Sequence, residues 1–250
     1  MLASSAAERV RSGYYDAVGK RWPLRSMKRA IAACTATPVI AEIKFASPSA
    51  GAIGRKRDPA EVARACAEGG AVALSVLTEP EHFDGSLGNL SAAREAVDIP
   101  LLMKDIVVHP RQVEAARAAG ADAVLLIASL HRRSLAERGL ADMIRLAHSL
   151  GLEVLLEAHD GREFDEALAS EADMVGINNR DLSTLQVDLG TSRELLKRKR
   201  GGKPVVCESG IGSPAEIREL VGLGADAFLV GSSVMRAPDT AGAVRRLVGP

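Results

Sequence analysis

Five apolar runs along the chain stop abruptly at polar or charged residues: PVIAEIK at Glu42 and Lys44, PLLMKD at Lys104, EVLLE at Glu157, DMVGINNR at Asn178 and Arg180, and KPVVCES at Glu208. A charge inside an apolar core costs several kcal/mol or more, so a strand buried on both faces carries one only at its end, where it meets water or substrate. A second phrase recurs in EGGAVALSVLT, AGADAVLLIAS, SEADMVGINNR and LGADAFLVGSS: a helix end, a tight turn at Gly or Ala, Asp where present, then a buried strand. Together the runs predict strands near residues 38–44, 71–77, 100–104, 122–127, 152–157, 173–177, 204–208 and 226–230. Spacings of roughly 20 to 35 residues leave room for one helix per crossover, which predicts an α/β chain closed into a (β/α)8 TIM barrel with the polar strand ends at one mouth.

Residues 1–36 precede the first strand. Within them Leu24 to Ala33 is amphipathic and cannot be one of the crossover helices, so it is expected to cap an end of the barrel. The whole of 1–250 reads as one barrel domain with 1–36 as an N-terminal helical extension, and cutting 1–36 is expected to weaken substrate binding more than folding.

Composition narrows the function. Aromatic residues are 3% against 47% hydrophobic, so the core is built from Ala, Val, Leu and Ile, as suits strands buried on both faces. With 32 basic and 32 acidic residues there is no global field to draw nucleic acid or an anionic membrane. The basic run Lys197 to Gly202 lacks interleaved aromatics and reads as a solvated helix end. Cys34, Cys66 and Cys207 are far apart, odd in number and without metal-ligand spacing, the usage of reduced core thiols in a cytoplasmic protein. No apolar stretch approaches the ~20 residues of a membrane span, and a signal-peptide core is missing from the N-terminus.

The candidate chemistry lies at the strand ends. Glu42 and Lys44, two apart, share one side of an extended strand. Ser47, Pro48, Ser49 and Gly51 follow as small residues that let backbone approach a ligand. Lys104 is either a desolvated ammonium tuned for proton donation or a lysine snorkelling to solvent. Burial would raise the Glu157 carboxyl toward the range useful for acid–base work, so the two read as an acid–base pair. Asn178, Asn179 and Arg180 offer donors and a fixed cation at one rim, with loop stabilisation as the other reading. Glu208, Ser209 and Gly210, then Gly231, Ser232 and Ser233, sit where the seventh and eighth loops of such barrels bind phosphate through backbone N–H groups. His82, His109, His131, His148 and His159 show no metal spacing and read as surface or loop residues. Neither GxGxxG after the first strand nor GxSxG occurs, so a dinucleotide fold and a hydrolase elbow lack support.

Taken in order, AEIK, ASPS, LTEPEHFDGS, LLMKD, ADAVLLI, LLEAH, GINNRDL, ESGI and ADAFLVGSSVMR closely resemble the indole-3-glycerol phosphate synthases of tryptophan biosynthesis, from about residue 38 to 236. The resemblance implies a (β/α)8 carboxy-lyase that closes the ring of 1-(2-carboxyphenylamino)-1-deoxyribulose 5-phosphate with loss of carbon dioxide and water, using neither cofactor nor metal. It implies Lys104 as general acid on the ketone, with Glu42 orienting it. Lys44 would face the substrate carboxylate and Glu157 would accept or donate the proton, with the dehydration step open between these two. Asn178, Arg180, Glu208 and Ser209 would complete the polar network, and Ser47, Gly210, Gly231 and Ser232 would hold the phosphate. Three positions depart from the family pattern: Ile106 stands where a Phe usually packs on the substrate ring, Phe45 where a basic residue is common, and Ala50 where Lys is common. Phe83 is then the expected ring contact. The expected partner is a small phosphorylated molecule, with no nucleic acid or membrane, for a cytoplasmic monomer, or alternatively a dimer. Two rival readings are a phosphoribosyl sugar isomerase on a related barrel and a phosphate-ligand barrel without turnover.

Overall fold

The computed structural model describes residues 2–16, 19–20, 22–48, 51–53, 57–181 and 184–249. Eight strands form a closed barrel: β1 Val39–Ile43, β2 Ala73–Leu77, β3 Leu101–Lys104, β4 Ala123–Ile127, β5 Glu153–Ala158, β6 Met174–Asn178, β7 Val205–Glu208 and β8 Ala227–Val230. Each pairs in parallel with its neighbour in sequence, and β8 closes on β1 with Val39 opposite Phe228. The predicted strands are all present, shifted at their ends by one or two residues.

Alternation of side chains divides the core in two. Residues such as Val39, Leu74, Leu101, Val124, Val154 and Val175 point outward and pack against the helices. Ile40, Ala73, Leu102, Ala123, Leu155, Met174, Val206 and Ala227 point inward and fill the barrel. Several crossover helices begin at a Pro in the first turn behind a side-chain cap, as at Asp58–Pro59, His109–Pro110 and Ser213–Pro214. The missing N–H of proline is no loss there, because it would have no partner inside the helix.

The recurring Asp has a physical cause. Asp122 Oδ2 accepts the Leu101 N–H at 2.8 Å, Asp173 Oδ2 that of Val154 at 2.8 Å, and Asp226 Oδ2 that of Val205 at 2.7 Å. Each such Asp therefore satisfies an N–H at the start of the preceding strand, at the barrel's N-terminal mouth. Buried Arg94 pairs with Asp122 at 2.9 Å.

The N-terminal segment divides into two helices with different places. Helix α2, Met27–Ala33, caps the N-terminal mouth, with Met27 and Ile31 packed into the barrel interior. Helix α1, Leu2–Arg11, which the hydrophobic pattern did not predict, lies at the opposite mouth. Its buried Arg9 pairs with Glu79 at 2.9 Å and Glu81 at 3.0 Å. Tyr15, just beyond α1, donates to Asp105 at 3.1 Å, and Thr78 donates to the same oxygen at 2.6 Å. The expectation for cutting 1–36 therefore needs revision: removing α2 would open the interior, so only loss of α1 separates binding from folding.

The basic run is a paired surface. Lys197 meets Glu194, Arg198 and Arg200 meet Asp165, and Lys199 meets Asp226. Cys66 and Cys207 are buried free thiols, and Cys34 is half-buried at the end of α2. Among the described residues no helix is long and apolar enough to cross a membrane.

Candidate active site

The C-terminal ends of the strands surround a cavity of about 410 Å³. Glu42, Lys44, Ser47, Phe83, Lys104, Glu157, Asn178, Arg180, Glu208, Ser209, Gly210, Gly231 and Ser232 all line it. These candidates from the strand-end pattern and the resemblance thus reach one place, whereas Gly51 and Asn179 do not line it. Ser49 and Ala50 lie outside the described residues.

At its centre Lys104 Nζ contacts Glu208 and lies 3.4 Å from Glu157 Oε2, while Lys44 Nζ contacts Glu42. Glu42 is expected to orient and tune Lys104; in this structure its close contact is Lys44, two residues along its own strand, and Glu208 makes the close contact to Lys104, while the charge of Glu42 still acts on that ammonium. The arrangement sets three carboxylates, each nearly fully buried, against two ammonium groups. Burial alone would lower the Lys104 pKa, but Glu208, Glu157 and Glu42 outweigh it and hold the ammonium charged. For Glu42 burial is likewise outweighed, here by Lys44 and Lys104, which keep it ionised.

The remaining two carboxylates differ. Burial raises both, but Glu157 is held down at about 2 by Lys104, by His159 and by a hydrogen bond from Asn178. Glu208 is pushed up to about 7 by burial, with Glu157 and Glu42 adding to the effect against Lys104. It is nearest to the ammonium and yet the less stable anion. The reason is its surroundings: Glu208 Oε1 has no hydrogen-bond partner among the described residues.

Two glycines make this centre possible. A Cβ on Gly176 would collide with Glu208 Oε1, and one on Gly231 would stand 2.5 Å from Glu42 Oε1. Gly231 is therefore required by the carboxylate beside it, in addition to any role in phosphate binding. After β7, Ser209 and Gly210 both have positive φ, 66° and 81°, which turns the chain sharply over the mouth. That conformation is uncommon for Ser and is held by Asn179, whose Nδ2 donates to the Glu208 and Ser209 carbonyls at 3.0 and 3.1 Å. Asn179, expected at the rim, is a buried backbone latch. Asn178 points to the site, with its Oδ1 accepting the Arg180 N–H at 3.0 Å.

The walls are largely apolar: Leu77, Phe83, Ile106, Leu125, Ile127 and Leu229, with Leu2 contributed by α1. Ile106 does stand in the wall, whereas Phe45 is buried in the outer core. Ser233 and Arg236 also line the cavity beside the Gly231 turn, and Ser233 Oγ has no partner among the described residues. Leu2 and Arg236 went unnoticed in the sequence because neither sits at a strand end. His159, expected on the surface or in a loop, does lie in the loop after β5, but its side chain is mostly buried, with Nε2 3.3 Å from Glu157 Oε1 and Nδ1 3.4 Å from Glu163 Oε2. Glu79, Glu81 and His82 come close enough together to hold an ion, but Arg9 already pairs with both carboxylates.

A (β/α)8 barrel with an ammonium among carboxylates at the C-terminal mouth, beside two Gly/Ser turns on the last strands, defines an enzyme of the acid–base class acting on an anionic small molecule. Comparison with known proteins makes this specific. The family model for indole-3-glycerol phosphate synthase matches residues 4–247, and the chain belongs to that family. The indole-3-glycerol phosphate synthase of Deinococcus radiodurans is 50% identical over 213 residues, covering 84% of this chain and 77% of that protein. That of Aromatoleum aromaticum is 48% identical over 211 residues, covering 84% and 79%. Among solved structures, N-acetylmannosamine-6-phosphate 2-epimerase from Clostridium perfringens superposes with a TM-score of 0.62 at 16% identity, covering 87% of this chain and 94% of that one. Thiamine phosphate pyrophosphorylase from Pyrococcus furiosus gives 0.60 at 20%, covering 86% and 94%. At such identities these two share the fold alone. The family assignment favours neither the isomerase reading nor the barrel without turnover.

Proposed function

We propose that this barrel closes the indole ring of indole-3-glycerol phosphate from 1-(2-carboxyphenylamino)-1-deoxyribulose 5-phosphate, releasing carbon dioxide and water. The observation that carries the reading is Lys104, charged and largely buried between Glu208 and Glu157 at the floor of a cavity with partly apolar walls. An ammonium placed there is an electrophile and acid for a ketone oxygen, and the water-poor surroundings strengthen its effect on developing negative charge.

Lys104 polarises the ketone and protonates its oxygen as the ring carbon attacks, forming the new carbon–carbon bond. The carboxylate then leaves as carbon dioxide, and its bonding pair restores the aromatic ring, so no electron sink is needed. Loss of the hydroxyl as water, with a proton taken up by a base, completes the indole. Glu157, held ionised, is that base in this reading, and Lys44 faces the substrate carboxylate. Glu208 keeps Lys104 in place, while Asn178, Arg180 and Ser209 bind the sugar portion. The phosphate sits among Ser47, Gly210, Gly231 and Ser232, and the unpartnered Ser233 hydroxyl supports that placement. Phe83, Ile106 and Leu2 enclose the aryl ring.

Mixing the protein with the substrate and following indole fluorescence tests the proposal. Turnover is expected, with loss of about 10³-fold or more in Lys104→Ala. Binding without turnover by the native chain, or a Lys104→Ala variant at the native rate, would overturn it.

A further inference from the structure

We propose that His159 is a positioning residue, an imidazolium clamped between Glu157 and Glu163 that keeps Glu157 a carboxylate and so fixes it as the proton acceptor of the reaction. This rests on the reading of Glu157 as the base given above. His159 follows β5 directly and does not line the cavity, so whatever it does for the chemistry it does through Glu157.

The geometry is that of a buried charge relay held still. Nε2 lies 3.3 Å from Glu157 Oε1 on one side, and Nδ1 lies 3.4 Å from Glu163 Oε2 on the other. The same Glu163 oxygen accepts the His159 backbone N–H at 3.0 Å, which fixes the turn after the strand. Glu163, in the helix Gly161–Ala169, is itself buried, and its other oxygen lies 3.6 Å from Arg132 of the helix Ala128–Arg132. Asp160 meets the same guanidinium at 3.7 Å. Nδ1 makes the hydrogen-bond contact to Glu163, whereas Nε2 has no hydrogen-bond partner among the described residues, so its pull on Glu157 is one of charge and needs the protonated ring.

Glu157 needs such a neighbour. It shares Lys104 with Glu208, and Glu42 also faces it, so the centre has one carboxylate more than its ammonium groups neutralise. His159 supplies the missing positive charge from behind. Of the groups that lower the Glu157 pKa, Lys104 comes first and His159 next. Burial would lower the His159 pKa, but Glu157 and Glu163 together raise it to about 10.

The test compares kcat against pH for the native enzyme, His159→Gln, Glu163→Gln and Glu157→Gln, with His159 followed by NMR in the native protein. An opposite charge within about 4–6 Å moves a carboxyl pKa by about 1–3 units, so His159→Gln should carry the acid limb upward by about that much. The ratio of kcat at about pH 8 to that at about pH 4 should then rise by up to roughly tenfold over the native ratio. Glu163→Gln should shift the limb the same way by less, and the native His159 ring should stay protonated through pH 8. An unmoved acid limb in both variants while Glu157→Gln is inactive, or a His159 ring that titrates near 6.5, would overturn the clamp alone. A Glu157→Gln variant that keeps the native rate would instead overturn the reading of Glu157 as base, and the clamp with it.

Discussion

Replacing Glu208 with Gln should give a protein that is more stable than the native one and nearly inactive. Gln reproduces the shape of the protonated acid but never ionises. In the native fold Glu208 has its pKa pushed from 4.5 to about 7, because a fully buried carboxylate must share one ammonium with Glu157. A pKa raised by folding contributes stability that is fully present below the unfolded value and is lost as the pH rises through the folded value. The window is therefore pH 4.5 to about 7. At about 1.4 kcal/mol for each unit, the raised pKa costs the native state on the order of 3 kcal/mol at pH 8 and about 1 kcal/mol at pH 5, where only the unfolded chain ionises. Urea unfolding followed by circular dichroism at the two pH values should show Glu208→Gln gaining by those amounts. At about 2–4 °C for each kcal/mol, Tm at pH 8 should rise roughly 6–12 °C. Indole fluorescence should show kcat down roughly a hundredfold, because Lys104 loses its closest anchor. A variant less stable than the native protein at pH 8, or a gap equal at both pH values, would refute the argument.

Other perturbations separate the two mouths of the barrel. Asp122→Ala strands the buried Arg94 guanidinium and should destabilise by about 3–5 kcal/mol; kcat per folded molecule, measured below the unfolding transition, should not change. Gly176→Ala should push Glu208 off Lys104 and lower kcat by about 10²-fold, with native far-UV circular dichroism. Arg9→Ala leaves Glu79 buried without its guanidinium, so KM should rise with α1 loosened, and Tm should fall. Deleting 2–11 should raise KM while the barrel still folds, whereas deletion through Ala33 should abolish cooperative unfolding.

The barrel was legible because its logic is periodic. Buried strands written in Val, Leu and Ile tolerate a charge only at one end, and such ends were enough to gather Glu42, Lys104, Glu157 and Glu208 at one mouth. What escaped were features whose cause is tertiary. His159 lies two residues past Glu157, and the carboxylate of Glu163 that it meets comes from the next helix. Arg9 looks like a surface arginine of a short helix until Glu79 and Glu81 from another loop enclose it. Gly176 reads as an ordinary strand glycine, because the carboxylate that needs its missing Cβ comes from the neighbouring strand. The repeated Asp was noticed as a phrase, but its hydrogen bond runs to a different strand and so could not be foreseen from spacing.

Helix α2 and the packed interior make the cavity a dead end. Met27 and Ile31 close the far mouth over a column of inward side chains, so substrate and products use the same opening. Carbon dioxide, released at the floor near Lys104, has to leave past the ring from which it was cleaved, along the same passage that admitted the substrate. The gas therefore departs before the bulkier indole does, or the indole shifts aside to let it by. Substrate and products thus share one mouth because Met27 and Ile31 close the other, far from any group that makes or breaks a bond.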